Sequence, residues 1–193
     1  MSEDDASPAA GRSDRRIART QASIRNAYIK LFFERGFDDI SVGDILEAAD
    51  IARSTFYQHF TSKEQLLCAT MQPMLTDLAE AVDSIKLPAG LNRVTTHFWS
   101  NRRLAHAVFT GTARVAIVRM LADLIEPRLD MPANGAAKAP APRRLIAMHI
   151  ASMQLGLLEE WLSGRYGCTP ESLARALHLS TRATARALTS GGE

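Results

Sequence analysis

Between residues 53 and 63 the chain sets out Ser54, Thr55 and Gln58, with Tyr57, His59 and Lys63 beside them. On a helix each residue turns by roughly 100°, so Ser54, Thr55 and Gln58 share one face while Phe56 and Phe60 share the opposite one. Short hydroxyls and an amide facing outward suit the edges of bases in a major groove. A phenol, an imidazole and an ammonium on the flanks suit the phosphates at the groove walls. Arg53 at the head of the run joins this set. So does Ser41, whose hydroxyl and neighbouring amides stand at an earlier helix start, where an anion is welcome. For Gln58, His59 and Lys63 the plainer alternative is a solvated surface position.

Those side chains need elements that hold them. Ser41 and Asp44 stand three apart, an N-cap and an acid that satisfy orphan amides. Val42, Ile45, Leu46 and Ala49 then repeat at helical spacing. Asp50 follows where the chain must turn, and Asp tolerates the left-handed conformation. Ile51 plugs the corner, and the second helix runs from Arg53 to Phe60. Thr61 with Glu64, or Ser62 with Gln65, caps a third helix. Two short helices at a sharp angle, the second polar outside and apolar behind, form the arrangement that enters a major groove.

The segment resembles the helix-turn-helix of the tetracycline-repressor-like (TetR) family of bacterial regulators. The resemblance rests on Val42, Asp44, Ile45, Ala49, Ile51, Arg53, Thr55, Phe56, Tyr57, His59, Phe60, Lys63 and Leu66. It implies Tyr57 and Lys63 as phosphate contacts. Two positions depart from the family pattern: Ala52 stands where a capping Ser or Thr is usual, and Asp50 where Gly is usual. A missing cap costs about 1 kcal/mol locally.

Upstream, Ile24, Ala27, Tyr28, Leu31 and Phe32 mark one face of a helix over about residues 20–35. Gly36 ends it as a left-handed cap, with Phe37 folding back. Arg12, Arg15, Arg16 and Arg19 precede that helix. They form either an arm along the DNA backbone or minor groove, or a solvated tail. Residues 1–14 are acidic, small and Pro-containing at their start, and read as a disordered tail. They contain no apolar stretch of a signal peptide.

A net charge of +2 over 193 residues excludes a generally basic nucleic-acid coating protein. No apolar run is long enough for a membrane span. Cys68 and Cys168 have neither metal spacing nor a CxxC motif, and are expected as reduced thiols of a cytoplasmic protein. No catalytic constellation, cofactor motif or metal cluster is found.

The expected architecture is all-α: a helix-turn-helix domain over 15–62 and a helical effector-binding and dimerisation domain over 63–193. A long helix over about 62–85 links them, interrupted by Pro73, which is either a hinge or a static bend. Two or three helices fill 91–130, and a Pro/Ala/Gly linker spans 131–142. A helix over 143–164 carries two apolar stripes: Ile146, Ile150, Met153, Leu157 and Trp161, and Met148, Ala151, Leu155, Leu158 and Leu162. Two such stripes must be covered twice. Thr169 and Pro170 open the last helix. The terminal pair is expected to form a four-helix bundle with a second copy, as the resemblance also implies. A recognition helix roughly 12 Å long reads only a few base pairs, and a twofold pair reads a palindrome.

His97, Phe98, Trp99, Arg102, His106, Met120, Met153, Gln154 and Trp161 are candidates for an effector pocket, as adaptable apolar walls with polar groups that fix orientation. Core packing is the alternative for each. Two functions stand side by side. One is a dimeric, sequence-specific regulator, a repressor released from its DNA operator by a small molecule. The other is an all-helical binding module or enzyme whose helix-turn-helix only packs.

Overall fold

A computed structural model describes residues 10–131 and 139–189, with side chains from residue 15 onward. Among the described residues every regular element is helical. In chain order these are α1 (Ala10–Arg35), α2 (Val42–Ala49), α3 (Arg53–His59), α4 (Lys63–Ala79), α5 (Ala89–Ser100), α6 (Arg102–Thr110), α7 (Arg114–Ile125), α8 (Arg143–Leu162) and α9 (Pro170–Thr189). A short 3-10 turn, Glu126–Arg128, follows α7. The chain divides into two compact units between Leu66 and Leu67, inside α4.

The first unit is a small core of Ile24, Leu31, Phe37, Ile40, Ile45, Phe56, Phe60 and Leu66, all buried. Each such side chain contributes roughly 1.5–3 kcal/mol on leaving water. α1 starts at Ala10 rather than near residue 20, so the arginine-bearing segment is part of the helix. Arg and Ala, which dominate residues 15–19, are strong helix formers and nothing there breaks the register. The part of the expected disordered tail over 10–14 is corrected in the same way; residues 1–9 lie outside the described residues, as does 132–138 of the expected linker.

Gly36 takes φ +81 and ends α1, and Asp50 takes φ 51 and ψ 55 between α2 and α3. Among the described residues Asp50 is the one non-glycine with positive φ. The Ser41–Asp44 capping box is complete. At α4 the cap is Ser62, whose hydroxyl accepts from the Gln65 amide at 3.2 Å, while the Gln65 side chain accepts from the Thr61 amide.

In the second unit α8 is packed by α6, α7 and α9, and α5 lies against α9. Phe98 and Phe109 meet edge to face at 5.2 Å. α4 runs on through Pro73 but ends at Ala79, short of the expected 85. The Ala81 and Val82 amides bond three residues back, to Leu78 and Ala79, which tightens the chain off the helix. His178 and Arg182 of α9 then bind the carbonyls of Ser84 and Ile85 at 2.9 and 2.8 Å and hold the segment there.

Most of both α8 stripes is covered within the chain: Ile146, Ile150, Ala151, Leu155, Leu158, Trp161 and Leu162 are all buried. The apolar surface left over is smaller than the two-stripe pattern suggests. It comprises Leu145 and Leu157 on α8 and Leu179 on α9.

Candidate nucleic-acid interface

α3 is seven residues long and has one buried side chain, Phe56. Phe60 packs behind it, the two rings 5.9 Å apart. With this anchor below, Arg53, Ser54, Tyr57 and Gln58 are exposed, and Thr55 and His59 are half-buried. Tyr57 leaves 47% of its surface to solvent although its ring meets Phe56 edge to face at 5.4 Å. The polar face expected from the helical projection is therefore presented as one surface. Ala52 provides no side-chain cap at the start of α3, although its φ of −70 and ψ of 151 suit one.

Two residues expected to meet phosphate are also engaged within the unit. The Ser41 hydroxyl donates to Asp44 and accepts from the Asp44 amide at 3.2 Å. Lys63 donates to the carbonyls of Phe37 and Ile40 at 3.1 and 2.9 Å, with its ammonium 4.4 Å from the Phe37 ring centre. Sequence pattern alone does not disclose this strap, because a lysine at a helix start reads as a phosphate contact or a solvated cation. The Asp44 carboxylate takes bonds from the Ser41 amide at 2.8 Å and from Arg35 at 2.9 Å. The Ser41 hydroxyl and amide, and then Arg35, hold its pKa down at about 2. A surface hollow of about 520 Å³ lies here, and its lining includes Ser41, Tyr57, Ser62 and Lys63 together with the acidic Asp38, Asp39 and Glu64.

The effector candidates do not converge on one cavity. Phe98 is core, and Gln154 is fully buried, donating to the Leu78 carbonyl at 3.1 Å and to the Thr181 hydroxyl at 2.9 Å. The Met153 sulfur accepts from Thr184 at 3.5 Å. His97 is exposed, and His106 and Met120 are half-buried. Trp99, Arg102 and Trp161 do come together: the indoles stack at 4.7 Å and the Arg102 guanidinium lies 5.1 Å over Trp99. Trp99 and Arg102 line a hollow of about 460 Å³ with Tyr166 and Cys168. The loop supplying those two partners went unread in the sequence, although two glycines and a tyrosine in five residues marked it as a turn with an exposed ring. Among the described residues no cluster suited to a metal ion occurs, and no helix is long and apolar enough to cross a membrane.

Comparison with known proteins falls on the same helices. The family model for bacterial regulatory proteins of the tetR family matches residues 24–70. YxbF of Bacillus subtilis, an uncharacterized HTH-type transcriptional regulator, is 24% identical over 174 residues, covering 84% of this chain and 44% of that protein. The HTH-type transcriptional repressor DhaR of a Mycobacterium species is 36% identical over 55 residues, 28% of either chain. The chain thus spans less than half the length of these curated relatives. A TetR transcriptional regulator from Streptococcus agalactiae superposes with a TM-score of 0.56 at 26% identity, covering 90% of this chain and 99% of that one. Over residues 24–70 the chain is thus similar to the tetR family of bacterial regulatory proteins, on the helices that carry the polar face of α3.

Proposed function

We propose that this protein is a homodimeric, sequence-specific DNA-binding regulator of transcription, a repressor that leaves a palindromic operator when a small molecule binds its second unit. The observation that carries this reading is the polar face of α3, exposed as a set above the buried Phe56. A helix needed only for packing has no cause to present Ser54, Tyr57 and Gln58 together. Thr55 and Gln58 would read base edges; Arg53, Tyr57 and His59 would meet the backbone. Lys63, with two carbonyls already bound, would offer its remaining proton and its charge.

Dimerisation is supported by Gly156, in the middle of α8, where an added Cβ would meet nothing within 4 Å. Glycine there costs about 0.5–1 kcal/mol against alanine, and nothing in its own chain requires it. A second helix crossing closely at that point would. The exposed Leu145, Leu157 and Leu179 of α8 and α9 supply apolar surface for the same contact. On this reading the protein acts on a double-stranded DNA operator in the cytoplasm and is not an enzyme.

The test is a fluorescence-anisotropy titration against DNA flanking the protein's own coding region, at two salt concentrations and with random-sequence competitor. Saturable binding that resists competitor, by a dimer, is the expected result. If neither that DNA nor any sequence selected from a random library is bound, the reading is wrong.

A further inference from the structure

Five arginines of the second unit are matched by carboxylates: Arg93 by Asp77, Arg114 by Glu159, Arg128 by Asp83, Arg144 by Asp123 and Glu126, and Arg165 by Glu160. Arg102 forms no such pair among the described residues, yet its guanidinium is held in place. One face lies over Trp99, which is itself stacked on Trp161. Its Nη1 sits 2.7 Å from where a Cβ would stand on Gly164, a residue at φ +76. The absent side chain is the seat of the guanidinium. Behind it the Trp161 indole N–H donates to the Cys168 carbonyl at 2.9 Å, which fixes the loop that closes the hollow.

A fixed, half-buried cation without a counter-charge is poised for an anion from outside. The hollow it lines measures about 460 Å³, and no Asp or Glu is among its walls. That volume lies within the span of small-molecule sites, roughly 300–1,000 Å³. Arg102 is the only cation of the lining, and its neighbours there are Trp99 and the exposed Tyr166. A single guanidinium fork matches a carboxylate in two parallel hydrogen bonds. A dianionic phosphate calls for further cations or amides, whereas aromatic walls call for a flat apolar body.

We propose that this hollow is a binding site for a small organic carboxylate with a flat apolar body, its carboxylate on Arg102 and its body in the hollow beside the exposed Tyr166. The binding stands independently of DNA; that such a ligand also weakens operator binding rests on the regulator reading above.

The chain has only two tryptophans: Trp99 lines this hollow and Trp161 packs against Trp99. Intrinsic tryptophan emission of the full chain therefore reports on this place alone. The protein, without DNA, is titrated with benzoate and phenylacetate, with benzamide as the uncharged counterpart, and with inorganic phosphate. A saturable change with the two carboxylates and none with benzamide or phosphate is expected. Arg102→Gln should weaken that binding roughly tenfold or more by removing the charge-assisted pair. Gly164→Val should weaken it by displacing the guanidinium, and Arg103→Gln should bind as the parent does. Circular-dichroism melting establishes that each variant is folded. The proposal is overturned by an equal response to benzamide, by a response to phosphate alone, by silence with both carboxylates, or by unchanged binding in folded Arg102→Gln. None of these outcomes touches the DNA titration, so the two readings fail separately.

Discussion

The Lys63 ammonium donates to the main-chain carbonyl of Ile40 at 2.9 Å, one residue before the Ser41 cap of α2. A side chain at the head of α4 thereby sets where α2 begins, and with it the approach to α3. Lys63→Met keeps the stem over Phe37 and deletes the donors to both carbonyls. It should lower the free energy of unfolding by about 1–3 kcal/mol, read from urea denaturation. It should also weaken binding to DNA of every sequence. An unchanged denaturation midpoint would leave Lys63 as a phosphate contact and no strap.

Acid should reach the same corner through Asp44. Its carboxyl titrates at about 2 in the folded protein and at 3.8 without its partners, chiefly because the Ser41 hydroxyl and amide bond the charged form. The unfolded chain takes up the proton first, so the stabilisation is whole above 3.8 and is lost as pH falls through about 2. Asp44→Asn should show a shallower loss of melting temperature across that window than the parent. Parallel curves for the two proteins would contradict the assignment.

Substitutions on α3 should separate reading from holding. Gln58→Ala should relax preference at particular base pairs by about 1–3 kcal/mol. Tyr57→Ala should weaken all sequences alike. Binding of a selected operator by both variants at parental strength would remove α3 from the interface.

Ala52 has the backbone of an N-cap without the side chain of one. Ala52→Ser should stabilise the protein by about 1 kcal/mol by accepting from an orphan amide of α3. Thermal denaturation measures it, and a lower midpoint would mean that Cβ substituents are not tolerated there.

Gly156→Leu fills space that its own chain leaves open. Helix content should hold, since leucine exceeds glycine in propensity by close to 1 kcal/mol. Sedimentation should nevertheless show a shift from dimer to monomer. A dimer of undiminished affinity would move the interface off this face of α8.

The first unit was legible because local signals there agree with the tertiary result. Ser41, Asp44, Gly36, Asp50 and the Phe56–Phe60 pair each specify a cap, a turn or a face within a few residues, and each is found as expected. The second unit was legible in its helices but not in its site. Phe98, Gln154 and Met153 share residue types with pocket walls, yet they are buried in or tied to the packing, a difference made by distant elements. Of those candidates Trp99, Arg102 and Trp161 lie together, and the place of Arg102 depends on a left-handed Gly164 that periodicity does not register. The end of α4 was missed for a similar reason, since His178 and Arg182, nearly a hundred residues on, decide it.

The early start of α1 has a calorimetric consequence. Residues 15–19 are all exposed, so the front of this helix rests more on propensity than on burial. Isolated helical turns are marginal in water, and fixing each residue costs about 1–2 kcal/mol of chain entropy. The front of α1 is therefore a segment that melts at little enthalpic expense and reforms when something binds along it. Should Arg15, Arg16 and Arg19 lie against a duplex, association would carry an ordering entropy in addition to counterion release. Its heat would vary with temperature more steeply than the buried area of α3 alone accounts for.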